Sequence, residues 1–232
     1  MKDSNILVIG SKPGSKLPKI SVDKIYTANG AAERATHYRR NYLKNELTCI
    51  VVAREFNKNE HVSGRIIRAK PKRIIIRSGT IHLPIELKEQ TNLTYLSNYA
   101  QWVYQSKFFK YKKISLLLSE IFHQKKFVDK FLHIVKLIKN NYIQGVSSGF
   151  YAILVALEEN PKSNIIISGI GMNGGKQFYK SKRSNFFTYD SRAGVDRFLI
   201  KRLLKKFKKR LYTLDSDLAE IASIKQWEGN SF

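Results

Sequence analysis

The segment from Gly145 to Gly171 constrains this chain more than any other. Gly145-Val146-Ser147-Ser148-Gly149 is a turn of small residues, and Phe150, Ile153, Leu154 and Leu157 follow it at helical spacing, with Ala152 and Ala156 permitting close packing. Pro161 ends the helix, and Ile165-Ile166-Ile167 is a β-branched run of the length of a buried strand. Ser147 or Ser148 is placed to cap the helix, whose first free N–H groups then point outward as donors for an anion. A second glycine turn, Gly169-Ile170-Gly171, follows the strand. Together these predict a phosphate-sized cradle in an α/β protein. A serine before a helix is usually only a cap, so the start of the chain has to carry the distinction.

Asn5–Gly10 is an apolar strand running into Ser11-Lys12-Pro13-Gly14-Ser15. A first strand ending in such a turn is where doubly wound proteins bind nucleotides, at the carboxyl edge of the sheet. Neither GxGxxG nor GxxxxGK[ST] is present, so a dinucleotide or P-loop site is not indicated. Further strands are expected at 24–28, 47–53, 73–77, 93–96 and 210–214. Helices are expected from Asn29, read as an N-cap, near 61–69, and over Asp196–Lys209, with Asp215 or Ser216 capping a short terminal helix. Strands alternating with helical connections give a Rossmann-like, mainly parallel α/β sheet with helices on both faces. Residues 99–140 read as a small helical lid or insert within a single domain of residues 1–232. Lysines interleaved with aromatics there suit nucleic-acid stacking, or simply snorkel over a core stripe. Residues 174–190 have the polar, basic and aromatic composition of a mobile active-site loop.

Composition sets the partner class. A net charge of +24 and a pI near 10.1 predict attraction to polyanions: nucleic acid, anionic lipid or an acidic glycan. The single Cys49 excludes an internal disulfide, and the five histidines show neither HxH nor HxxxH spacing, so no metal site is expected. No signal-peptide core and no run of about 18 apolar residues is found, which predicts a cytoplasmic protein, peripheral on a membrane surface at most.

In their order along the chain, the Gly10-Ser11-Lys12-Pro13 turn, the strand ending in Asn29, Ser147-Ser148-Gly149 with its helix, Ile165–Gly171, and Asp196 followed by Leu211-Tyr212-Thr213-Leu214 resemble the bacterial CMP-sugar-dependent sialyltransferases. Those enzymes are related to the Kdo transferases. The likeness covers roughly residues 5–40 and 145–222. It implies an inverting glycosyltransferase that moves sialic acid or a related acidic sugar from a CMP-activated donor to a glycan acceptor, with no cofactor or metal. By that resemblance Gly10, Ser11, Pro13, Asn29, Ser147, Ser148 and Gly149 hold the donor nucleotide, Ser11 standing where the family has asparagine. Tyr179 and Tyr189 match the tyrosines that hold the leaving phosphate. The family's catalytic histidine falls at Ser191, so the residues at the catalytic position are Asp190, Ser191 and Arg192, with the Asp190 carboxylate as the candidate base. The alternative reading is a non-enzymatic nucleic-acid or anionic-surface binder, which accounts for the charge and leaves the glycine turns as ordinary structure.

Overall fold

The computed structural model describes residues 4–41, 46–109, 127, 128, 131, 135, 146–172 and 189–229, without the side chains of 40–41 and 189–194. Eight strands form one open, wholly parallel sheet: β1 (Asn5–Ile9), β2 (Lys24–Ala28), β3 (Glu46–Val52), β4 (Arg73–Arg77), β5 (Asn92–Leu96), β6 (Asn164–Ser168), β7 (Leu211–Thr213) and β8 (Lys225–Gln226). Their order is β5-β4-β3-β2-β1-β6-β7-β8. The central strands are continuous apolar runs because helices cover both faces. Alternation along β1 divides the core: Ile6 and Val8 join one cluster, Leu7 and Ile9 the other.

On the second face lie α1 (Ala32–Asn41), α2 (Ala53–Lys58) and α3 (Glu60–Ala69), with α4 (Ile85–Gln90) in the crossover to β5. The first face carries α5 (Asn98–Ser106), α6 (Ser148–Glu159), α7 (Tyr189–Phe207) and α8 (Ser216–Ala222). Every residue of α6 from Phe150 to Leu157 is buried, as expected of a helix that is apolar all round. It packs across β1, β2, β3 and β6.

The parallel sheet and the main elements agree with the sequence reading, and four details differ. Ala53 starts a helix rather than ending β3, because it enters α2 directly from the strand. Helix α4 and strand β8 carry too few residues to leave a periodic signal. Helix α7 begins at Tyr189, seven residues before Asp196, so residues 189–190 of the expected loop are helix. Of the expected 99–140 insert, the described part is α5 and a few helical positions further on.

The chain leaves β1 toward β2 on one side and enters β6 on the other, so the switch point lies between β1 and β6. There the two turns touch. The Gly10 N–H donates to the Ser168 carbonyl at 2.7 Å and the Lys12 N–H to the Gly169 carbonyl at 2.9 Å. A Cβ on Gly10 would stand 2.1 Å from the Gly169 carbonyl oxygen, so only glycine fits. Gly14, by contrast, has φ +69° and open space around it. Gly10→Ala is expected to destabilise the fold by about 2–4 kcal/mol and Gly14→Ala by about 1 kcal/mol, as read by urea denaturation. Equal losses would show that the β1–β6 contact is not tight.

Candidate functional site

The carboxyl edge of β6, β1 and β2 carries most of the residues singled out from sequence. Gly10, Ser11 and Pro13 lie in the turn after β1, where the Ser15 hydroxyl donates to the Lys12 carbonyl at 3.0 Å. The half-buried Arg34 of α1 donates to the Ser15 hydroxyl and to the Ser15 carbonyl, and burial lowers its pKa. Lys12 reaches the other way, to Asp217 at 2.6 Å. The β1 turn is thus pinned from α1 and from α8.

Asn29 follows β2 on the same edge. It does not cap a helix as expected: it opens a short 3-10 turn, Asn29–Ala31, whose N-cap is Ala28, and no side chain caps it. Its backbone sits at φ 49°, a left-handed conformation that asparagine tolerates and that gathers at functional sites. Its buried side-chain oxygen has no hydrogen-bond partner among the described residues. A buried amide oxygen left unpaired costs about 1–3 kcal/mol, and a ligand donor would remove that cost.

The Ser147 hydroxyl, not that of Ser148, caps α6, accepting from the Phe150 N–H at 3.1 Å. The Ser147 N–H donates to the buried Asp196 carboxylate at 3.1 Å, and the Tyr151 N–H donates to the Ser147 carbonyl at 2.9 Å. Of the amides opening α6, those of Ser148 and Gly149 have no hydrogen bond among the described residues. The positive end of the helix dipole adds to their pull on an anion. Gly149 packs closely on Ile170: a Cβ there would stand 3.1 Å from that side chain, which would have to give by a few tenths of an ångström. This brings the α6 turn against the turn after β6.

Sequence reasoning missed three residues that build this rim. Arg77, at the end of β4 and only 3% exposed, donates to the Gln101 amide oxygen at 2.8 Å, to the Ser148 hydroxyl at 3.3 Å and to the Val146 carbonyl at 2.7 Å. Its guanidinium also lies 4.8 Å from the Tyr151 ring centre. Burial pushes the Tyr151 phenol up to about 12, while Arg77 pulls it down. Asp196, read as the start of a helix and as one of the positions that carry the resemblance but given no role of its own, holds the Ser147 amide. Asp215 occupies the N-cap position of α8 but does not cap it; its carboxylate accepts from the Gly169 N–H at 2.7 Å. A strand ending in arginine and an aspartate two residues beyond β7 were the available signals.

Tyr179 lies outside the described residues, and of Tyr189, Asp190, Ser191 and Arg192 only the helical backbone is described. Among the described residues no three His, Cys, Asp or Glu side chains cluster as metal ligands do. Buried Cys49 has its thiol pushed up to about 12 by burial, so it stays protonated at neutral pH. A groove of about 590 Å³ opens at the opposite, amino edge, lined by Lys24, Tyr26, Lys72, Arg73 and Glu159 among others. There Lys72 pairs with Glu46 at 2.7 Å and Arg73 with Glu159 at 2.6 Å, so its charges largely satisfy one another.

The fold is similar to that of the sialyltransferase CstII from Campylobacter jejuni, solved in complex with the substrate analogue CMP-3FNeuAc. The match has a TM-score of 0.52 at 17% identity and covers 96% of this chain and 86% of that one. No family model and no curated protein matches the chain. At this identity the likeness establishes a shared doubly wound architecture.

Burial raises the Asp215 carboxyl above its ordinary value of 3.8, against the opposing pull of the Gly169 amide and Lys12. A raised folded-state value means that protonation favours the fold. The stability from Asp215 is therefore full at low pH and lost as pH rises through its folded value. Asp215→Asn should flatten the melting-temperature profile in the window just above pH 4, and an unchanged profile would contradict this. Arg77→Met, which strands three buried acceptors, should cost about 2–4 kcal/mol by denaturant titration.

Proposed function

We propose that the protein is a metal-independent glycosyltransferase that moves sialic acid or a related acidic sugar from a CMP-activated donor to a glycan acceptor. The observation that carries the proposal is the buried, unpartnered side-chain oxygen of Asn29, held on a left-handed backbone at the carboxyl edge beside the switch point. The fold shared with CstII, itself bound to a CMP-sugar analogue, supports a pyrimidine nucleotide as the occupant. In this reading the Asn29 amide reads the nucleotide, with the Gly10-Ser11 turn and Pro13 beside it. The Ser148 and Gly149 amides receive the phosphate at the positive end of α6, and the Ser147 cap keeps that turn in place.

Transfer then needs one base and one stabiliser of the leaving group. The acceptor hydroxyl oxygen bonds to the anomeric carbon from the face opposite the phosphate, and the bond from that carbon to the phosphate oxygen breaks, releasing CMP with inversion. The acceptor proton passes to the Asp190 carboxylate, while Tyr179 and Tyr189 donate hydrogen bonds to the departing phosphate. Arg192 supplies positive charge nearby and Ser191 replaces a stronger base. The net charge of +24 favours both an anionic donor and an acidic acceptor.

Thermal melting with CMP tests the binding half. Ligand at about 100 times its Kd should stabilise the fold by about 2.7 kcal/mol, duplex DNA should not, and Asn29→Ala should abolish the shift. Stabilisation by DNA alone would point to a nucleic-acid binder. Asp190→Asn should keep the CMP shift and lower turnover by about 100-fold or more. Undiminished turnover in that variant would place the base elsewhere.

A further inference from the structure

The second half of α7 and the turn after it carry Lys201, Arg202, Lys205, Lys206, Lys208, Lys209 and Arg210, with no acidic residue among them. Two of these are tied into the fold: Lys206 donates to the Phe108 carbonyl at 2.8 Å, and Arg210 to the Ser163 carbonyl at 3.0 Å. The other five are exposed. Continued at the helical 100° per residue, they fill an arc of roughly 120°, opposite the buried Ile200, Leu203 and Leu204. None forms an ion pair among the described residues, whereas Lys12, Arg65, Lys72, Arg73 and Lys107 all do. Like charges spaced three and four apart repel, so the face destabilises its own helix until an anionic surface covers it.

A second feature is apolar. Phe127, Val128, Phe131 and Val135 are helical and 83%, 65%, 60% and 47% exposed. Their spacing puts them along one side of a helix, and the sequence around them holds Lys125, Lys126, Lys130 and Lys136. The geometry points to a docking surface for an anionic lipid bilayer: the α7 cations meet the headgroups and the exposed phenylalanines enter the interface. Nucleic acid fits less well, because Phe198 and Phe207 of α7 are not free to stack on bases. Arg202 covers the Phe198 ring at 4.5 Å, and Phe207 lies 6.2 Å from the Phe108 ring. This inference is independent of the transferase reading and is tested by binding alone.

Co-sedimentation of the full chain with vesicles decides it. At near-physiological salt the protein should bind phosphatidylcholine vesicles containing about one-third phosphatidylglycerol at least about tenfold more tightly than pure phosphatidylcholine. The variant K201E/K205E/K209E, changed only at exposed positions, should lose about tenfold or more of that binding with an unchanged melting temperature. F127S/F131S should also bind more weakly, most visibly at raised salt, where charge attraction is screened. Equal binding to both vesicle types, or wild-type binding by either variant, would overturn the proposal. So would duplex DNA that displaces the protein from the anionic vesicles.

Discussion

The backbone contact between the turns after β1 and β6 holds the rest of the carboxyl edge in place. Two parallel strands diverging at a switch point leave a crevice, and here the floor of that crevice is backbone: the Gly10 amide on the Ser168 carbonyl, and the Lys12 amide on the Gly169 carbonyl. The approach leaves no room for a Cβ at Gly10, so the turn after β1 lies directly against the turn after β6. Arg34 on one side and Asp215 on the other grip the same two turns through Ser15 and the Gly169 amide. The geometry a ligand would meet is therefore set before it arrives.

Charge is distributed in keeping with that geometry. At the amino edge, lysine, arginine and glutamate cancel in local pairs. At the carboxyl edge the positive end of α6 and the buried Arg77 face the rim, while Asp196 and Asp215 are turned onto backbone amides. Using carboxylates to hold turns, rather than leaving them open to solvent, keeps the rim attractive to a phosphate. From Phe150 to Leu157 α6 is buried on every side, so its dipole crosses the sheet through the core, where solvent does not screen it.

Much of the architecture was legible because it rests on local patterns. The isoleucine runs at 74–76 and 165–167 and the apolar start at 6–9 could only be buried strands, and glycine turns at their ends marked the functional edge. Ser147 and Ser148 were both readable as caps; the choice between them depended on helix phase. What sequence did not show depends on residues brought together from far apart. Arg77 meets Ser148 across 71 positions, Asp196 meets Ser147 across 49, and Asp215 meets Gly169 across 46. Asn29 was misread for a different reason. Asparagine serves both as an N-cap and as a left-handed residue, and only the backbone tells which.

The central claim is that one rim of the sheet, at the switch point, receives a pyrimidine nucleotide. Backbone amide NMR during a CMP titration addresses it most directly, because it reports where the ligand sits whether or not turnover occurs. The amides of Lys12, Asn29, Ser148 and Gly149 should shift together with one saturating curve. Shifts confined to the amino-edge groove around Lys24, Lys72 and Arg73, or no saturable shift at all, would contradict it.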